Sequence, residues 1–225
     1  MDFSKFVDFI SSRKLFLCRT NLFKDKFEGV FPRQQNNVLK NAYLEIVTKE
    51  KMEDFIQDSN LMMKNVRATT YVSCWHANEY ESAAMWDLYA KTDEAIAIET
   101  TYESLKNSLP ENSFLGLVDY IDYETETIPI GNMFNPVMHK RRSFQHENEA
   151  RVVIRDEIPE GGNFSDIADK KNGIYINVDI NKLIKRVYVS PTSPTWFVNL
   201  VTEISNKYEL TAKIIKSDLY TDPIK

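Results

Sequence analysis

The apolar residues of this chain arrive in many short runs, and that distribution constrains the fold more than any other feature. "KLFLCRT" (14–20), "VRATTYVSCW" (66–75), "EAIAIET" (94–100), "FLGLVDYIDY" (114–123), "ARVVI" (150–154), "GIYINV" (173–178) and "KRVYVS" (185–190) are each of strand length and rich in branched or aromatic side chains. Between them lie segments of helical spacing. "DFSKFVDFISSRK" puts Phe3, Phe6, Phe9 and Ile10 on one face, with Asp2 or Ser4 as a cap. The span from Asn37 to Lys64 predicts one or two amphipathic helices. "NEYESAAMWDLYA" predicts a short one behind Asn78 or Glu79, and "TYESLKNSLP" one ended by Pro110. The final stretch, "SPTWFVNLVTEISNKYELTAKIIKSDLY", predicts a helix returning into a strand. Strands and helices mix without strict alternation, so the expectation is an α+β fold, a single domain over 1–225 with a mixed or antiparallel central sheet flanked by helices. "RDEIPEGGNFSDIADKKN" is the expected flexible loop.

Composition excludes several function classes. With 225 residues and 43% hydrophobic side chains, the chain can bury one good core. A net charge of -5 argues against holding nucleic acid by charge alone, because phosphate neutralisation needs a basic face. No run approaches the roughly 18 apolar residues of a membrane span, and the acidic start carries no cleavage site, so a cytoplasmic protein with no membrane partner is expected. Cys18 and Cys74 are expected to be reduced core cysteines. His76, His139 and His146 form no metal-ligand pattern, so no metal is expected. Six glycines in the whole chain leave little material for a phosphate cradle.

Three constellations could carry chemistry. In "RRSFQHENEARVVI" (141–154), a strand places Ala150, Val152 and Ile154 on one face and Glu147, Glu149 and Arg151 on the other. Lys140, Arg141 and Arg142 precede it, and nearby cations keep carboxylates ionised and able to stabilise positive charge. The alternative is an exposed strand edge with salt bridges of little consequence. In "SCWHANEYESAAMWDLYA", Trp75, Trp86 and Tyr89 are planar groups that stack on bases, unless they are simply core, and His76 titrates near neutrality. In "RTNLFKDKFEG", Arg19 ends a strand, where a planar cation grips a phosphate or carboxylate, and Asp25 or Glu28 could instead pair with it.

Taken in order, "LFKDKFEG", "VSCWHANEYESAAMWDLYAKTDEAIAIETTYESL", "GLVDYIDY" and "KRRSFQHENEARVVI" resemble a bacterial family known as domain of unknown function twenty-nine seventy-one. The family's N-D-P-F-E loop corresponds to Lys24, Asp25, Lys26, Phe27 and Glu28, without its Asn and Pro. Phe144 stands where many members have Trp or Phe. The resemblance implies a single bacterial domain, sometimes associated with anti-phage defence. A more distant likeness is to ADP-ribosyltransferases, through the order Arg19, Ser73, then Glu147 and Glu149. That likeness implies NAD as substrate, Arg19 on its phosphates, Ser73 orienting the nicotinamide ribose and Glu149 stabilising the oxocarbenium-like transition state. The leading expectation is therefore an NAD- or nucleotide-processing effector with Glu149, Glu147 and Ser73 as catalytic residues. Its ligand-binding residues are then Arg19, Trp75, His76, Trp86, Tyr89, Lys140 and Arg141. The alternatives are a nucleotide- or protein-binding module without catalysis, and a nuclease-like effector using Glu28, Asp87, Glu147 and Glu149 around magnesium.

Overall fold

The computed structural model describes residues 1–44, 48–156 and 172–224. The expected flexible loop falls almost wholly on 157–171, outside the described residues. The helices are α1 (Phe3–Ser12), α2 (Arg33–Leu44), α3 (Lys49–Thr69), α4 (Ala83–Tyr89), α5 (Tyr102–Asn107), α6 (Asn135–Met138), α7 (Ile180–Leu183) and α8 (Thr195–Lys207). The strands are β1 (Lys14–Arg19), β2 (Thr70–His76), β3 (Ile96–Glu99), β4 (Ser113–Leu117), β5 (Asp119–Ile121), β6 (His139–Arg141), β7 (Glu149–Arg155), β8 (Gly173–Asn177), β9 (Arg186–Val189) and β10 (Lys213–Lys216). Helices and strands mix as an α+β fold with both parallel and antiparallel pairing.

The chain groups into two compact units, each assembled from separate stretches of sequence. The first contains Met1–Phe16, Asn78–Glu111 and Tyr175–Lys225, and the second Leu17–Ala77 and Asn112–Ile174. In the first unit β9 pairs antiparallel with β3 and parallel with β10, so Val187 is flanked by Ile98 and Ile214. Its core contains Phe6, Ile10, Ile96, Val189, Phe197 and Val201, all 0% exposed, with Phe3 set edge-on against Phe197 at 5.3 Å. Asp2 caps α1 by accepting from the Lys5 N–H at 2.9 Å. Helix α4 starts later than the sequence pattern predicts, because Ser82, and not Asn78 or Glu79, is its N-cap.

In the second unit β2 is central. It pairs antiparallel with β7, which in turn pairs antiparallel with β4, and its other side takes β1 through Cys18↔Val72 and Arg19↔Tyr71. The predicted strand 66–75 is corrected here. Val66, Arg67 and Ala68 belong to the last turn of α3, and the strand begins at Thr70, whose hydroxyl bonds back to the Val66 carbonyl at 2.6 Å. "FLGLVDYIDY" is two strands: β4 joins β7, whereas β5 pairs with β6 in parallel. Neither cysteine belongs to the core, since Cys18 is half-buried and Cys74 exposed, and both are free thiols.

Candidate functional site

The segment 141–154 is not one strand. Residues Arg142–Glu147 form a 3-10 turn, Asn148 takes a left-handed backbone (φ 39°), and β7 starts at Glu149. An Asn adopts that conformation at modest cost. Asn148 is fastened on both sides of its backbone: its side-chain amide donates to the Ala77 carbonyl, and its own carbonyl accepts from the Ala77 N–H at 2.7 Å. Glu147 therefore reaches the charged face from the turn, while Glu149 and Arg151 reach it from alternate positions of the strand. The predicted arrangement of the two glutamates along one strand face is corrected accordingly.

Lys140 draws the two glutamates together. Its ammonium on β6 donates to Glu149 at 2.7 Å and to Glu147 at 2.9 Å, and lies 3.4 Å from Glu28. Arg151 uses three donors: Nε to Glu149 at 2.7 Å, Nη1 to the Val137 carbonyl at 2.7 Å, and Nη2 to Glu28. Lys140, Glu149, Arg151 and Glu28 are all buried, Arg151 to 1% exposure. The Glu149 backbone N–H donates to the Tyr120 hydroxyl at 2.9 Å, and Tyr120 pairs with Lys140 across β5 and β6. Alongside, Arg141 grips Asp25 through two bonds of 2.8 and 3.2 Å and lies 4.3 Å from the Phe27 ring centre. Lys140 stands 4.7 Å from the centre of the Phe144 ring. The loop carrying Asp25 and Glu28 ends at Gly29, whose φ of 77° and a would-be Cβ only 2.9 Å from the Arg67 side chain both require glycine.

Three carboxylates thus meet two cations, and the environment separates their acidities. Burial alone would raise Glu149, but the hydrogen bond and charge of Arg151, aided by Glu147 and Lys140, hold it well below the usual carboxylate range. Burial and the neighbouring Glu149 carboxylate push Glu147 the other way, upward, against the pull of Lys140. Burial would lower Lys140, yet its bonds to Glu149 and Glu147 raise it overall. The Glu147 side chain, at 15% exposure, is more accessible than that of Glu149 at 5%. His76, cross-strand from Glu149, lies 2.7 Å through Nδ1 from the Glu147 carbonyl oxygen. A carbonyl only accepts, so Nδ1 is the donor in this contact.

Several sequence-predicted residues lie elsewhere. Side-chain alternation puts Ser73 opposite Val152, on the sheet face away from Glu149. Arg19, opposite Tyr71, shares the face of Ser73 and Trp75. The order Arg19, Ser73, Glu149 is therefore split across a sheet and does not converge. The cationic groups of Lys140 and Arg141 are engaged by carboxylates, Lys140 by Glu147 and Glu149 and Arg141 by Asp25. Trp86 and Tyr89 belong to the first unit, where Trp86 is 7% exposed and its indole N–H donates to Glu81 at 2.5 Å, while Tyr89 is 57% exposed. Asp87 belongs to that unit too, and the acids of the magnesium alternative in the second unit, Glu28, Glu147 and Glu149, are engaged by Lys140 and Arg151. Among the described residues no group of three or more His, Cys, Asp or Glu side chains could hold a metal, and no helix is long and apolar enough to cross a membrane.

Sequence reasoning missed Tyr120 and the part played by Arg151. The signal for Arg151 was its two-residue spacing from Glu149, which on a strand gives a shared face. What the fold and the cluster define is an α+β protein with a buried carboxylate–cation centre. No protein-family model matches the chain, and neither a curated protein nor a solved structure matches it. The loop at 24–28 and the segment 140–151 meet in this one cluster.

Proposed function

We propose that the cluster of Glu28, Lys140, Glu147, Glu149 and Arg151 is the acid–base centre of an enzyme that breaks a nucleotide glycosidic bond, with NAD as the first substrate to try. The observation that carries this reading is the unequal setting of two adjacent carboxyls: Glu149 is buried with its two oxygens bonded to Lys140 and Arg151, while Glu147 is more accessible and bonded to Lys140, so that burial and the Glu149 charge incline Glu147 to take a proton. Cleavage of a glycosidic bond passes through a positively charged, oxocarbenium-like transition state and uses one carboxyl to move a proton. Nicotinamide leaves NAD as a neutral base. The ring nitrogen keeps the electron pair of the broken bond, water or an acceptor hydroxyl adds to the ribose carbon, and Glu147 takes the released proton. Glu149, with both oxygens bonded to Lys140 and Arg151, sets the field in which Glu147 titrates. The decisive residue is thus Glu147 in place of Glu149. The substrate class is supported by the likeness to ADP-ribosyltransferases, of which only the paired glutamates belong to this centre. A role in anti-phage defence is what the first resemblance adds.

A second reading, a module that binds a nucleotide without turning it over, draws on the burial of four of the five charged side chains. Incubation with NAD separates the two. The enzyme reading expects nicotinamide release by the intact protein and a loss of about 100-fold or more in Glu147→Gln with the fold retained. If thermal stabilisation by a nucleotide occurs without any product, the binding module takes its place.

A further inference from the structure

Among the described residues of the second unit, Arg19 has more buried guanidinium nitrogens without an acceptor than any other arginine. It is 7% exposed, and its Nε and Nη1 are buried with no acceptor. A guanidinium does not lose its proton at any ordinary pH, so burial cannot be relieved by neutralisation, and an unpaired buried cation is among the least favourable arrangements in a protein. Its neighbours explain why the chain does not relieve it. The alternation of β1 directs Leu15, Leu17 and Arg19 to the buried side, and Tyr71, directly cross-strand from Arg19, donates its hydroxyl to Asp156 at 2.7 Å. Asp156 makes no ion pair with Arg19. Trp75, further along the same face of β2, has an indole N–H that is likewise buried without an acceptor. Donors without acceptors on one face, headed by a permanent cation, specify the complementary ligand: an oxyanion.

We infer that Arg19 anchors a binding site for a small oxyanion, a phosphate or a carboxylate, free or as the end group of a larger molecule. The site lies on the face of the β2–β7 sheet opposite the Glu147–Glu149 centre and is independent of the reaction proposed there. Guanidinium pairs with either group through two parallel hydrogen bonds, and a buried environment strengthens both.

The test is titration of the full chain with inorganic phosphate, and separately with acetate and AMP, at constant ionic strength, following the thermal midpoint and calorimetric heat. Saturable binding of at least one of the three at one site per chain is expected, with a rise in midpoint of about 5 °C at a hundred-fold excess over Kd. Which of them binds tells phosphate from carboxylate, and a free ion from an esterified one. Arg19→Gln should weaken binding at least ten-fold. Arg19→Lys, which keeps the charge but loses the fork, should weaken it less, and Glu147→Gln should leave it unchanged. Absence of saturable binding of all three by the unaltered chain overturns the inference whether or not the variants fold. Undiminished binding in Arg19→Gln, or loss of binding in Glu147→Gln, overturns it equally.

Discussion

The two faces of the β2–β7 pair treat a buried arginine in opposite ways. On one face Arg151 is enclosed at 1% exposure with Glu149, Glu28 and the Val137 carbonyl as acceptors. On the other, Arg19 is enclosed at 7% with no acceptor on Nε or Nη1. Residue type and degree of burial are close to equal. The difference lies in what the rest of the chain brings to each face: a loop at 24–29, strand β6 and a 3-10 turn deliver the acids Asp25, Glu28 and Glu147 and the cations Lys140 and Arg141 to the first. A charge that the chain itself neutralises holds the fold together, whereas a charge it leaves unpaired is suited to something from outside.

The sharpest way to break this comparison is Arg151→Met. It strips Glu149 and Glu28 of one of their two shared cations in a buried site and leaves the other, Lys140, so unfolding free energy should fall by about 3–5 kcal/mol. Denaturant titration checks this, and a loss below about 1 kcal/mol would mean that the cluster is not a unit. A smaller effect concerns pH. Burial, followed by the bond to the Asp156 carboxylate, raises Tyr71 to about 12. A folded value above the ordinary one of about 10 means stability that is complete below about pH 10 and lost as pH rises towards 12. Tyr71→Phe should flatten that part of the stability profile. On the cluster side the sign reverses: Glu149, held low, contributes stability that is complete above its ordinary value near 4.3 and lost as pH falls below it. Glu147, held high, works against this, with stability present in acid and lost as pH rises through its folded value.

Arg19→Met sharpens the comparison from the other side. Replacing a cation without partners by an apolar chain of similar length should leave stability within about 1 kcal/mol of the original, or raise it, in a buffer without oxyanions. Calorimetric melting shows which, and a loss as large as that of Arg151→Met would erase the distinction between the faces. The smallest effect is expected of Glu147→Gln, within about 0.5 kcal/mol, because Lys140 keeps Glu149 and Glu28 as partners.

The sequence made some of this legible and hid the rest for identifiable reasons. The alternation of β7, with Val152 and Ile154 against Glu149 and Arg151, follows from the two-residue period and appears as read. The helix of Phe6, Phe9 and Ile10, and the late helix and strand from Thr195 to Lys216, likewise follow from local periodicity. Glu147 falls outside the strand because one left-handed residue, Asn148, delays its start to Glu149, and no periodicity reports a backbone angle. Glu28 meets Arg151 across 123 positions of chain, a pairing fixed by the arrangement of strands. Ser73 and Glu149 looked compatible as an ordered pair, but order along a chain does not record the face on which each side chain stands.

The central claim is that Glu147 carries the labile proton of the cluster while Glu149 stays an anion, and carboxyl carbon NMR of the folded protein tests it directly. Titration from pH 8 to pH 3, with Glu147→Gln and Glu149→Gln samples to assign the two signals, should show Glu147 protonating above the ordinary glutamate value near 4.3. Glu149 should stay ionised throughout that range. If both titrate together near that ordinary value, or if Glu149 protonates first, the acid–base centre proposed for this protein is contradicted.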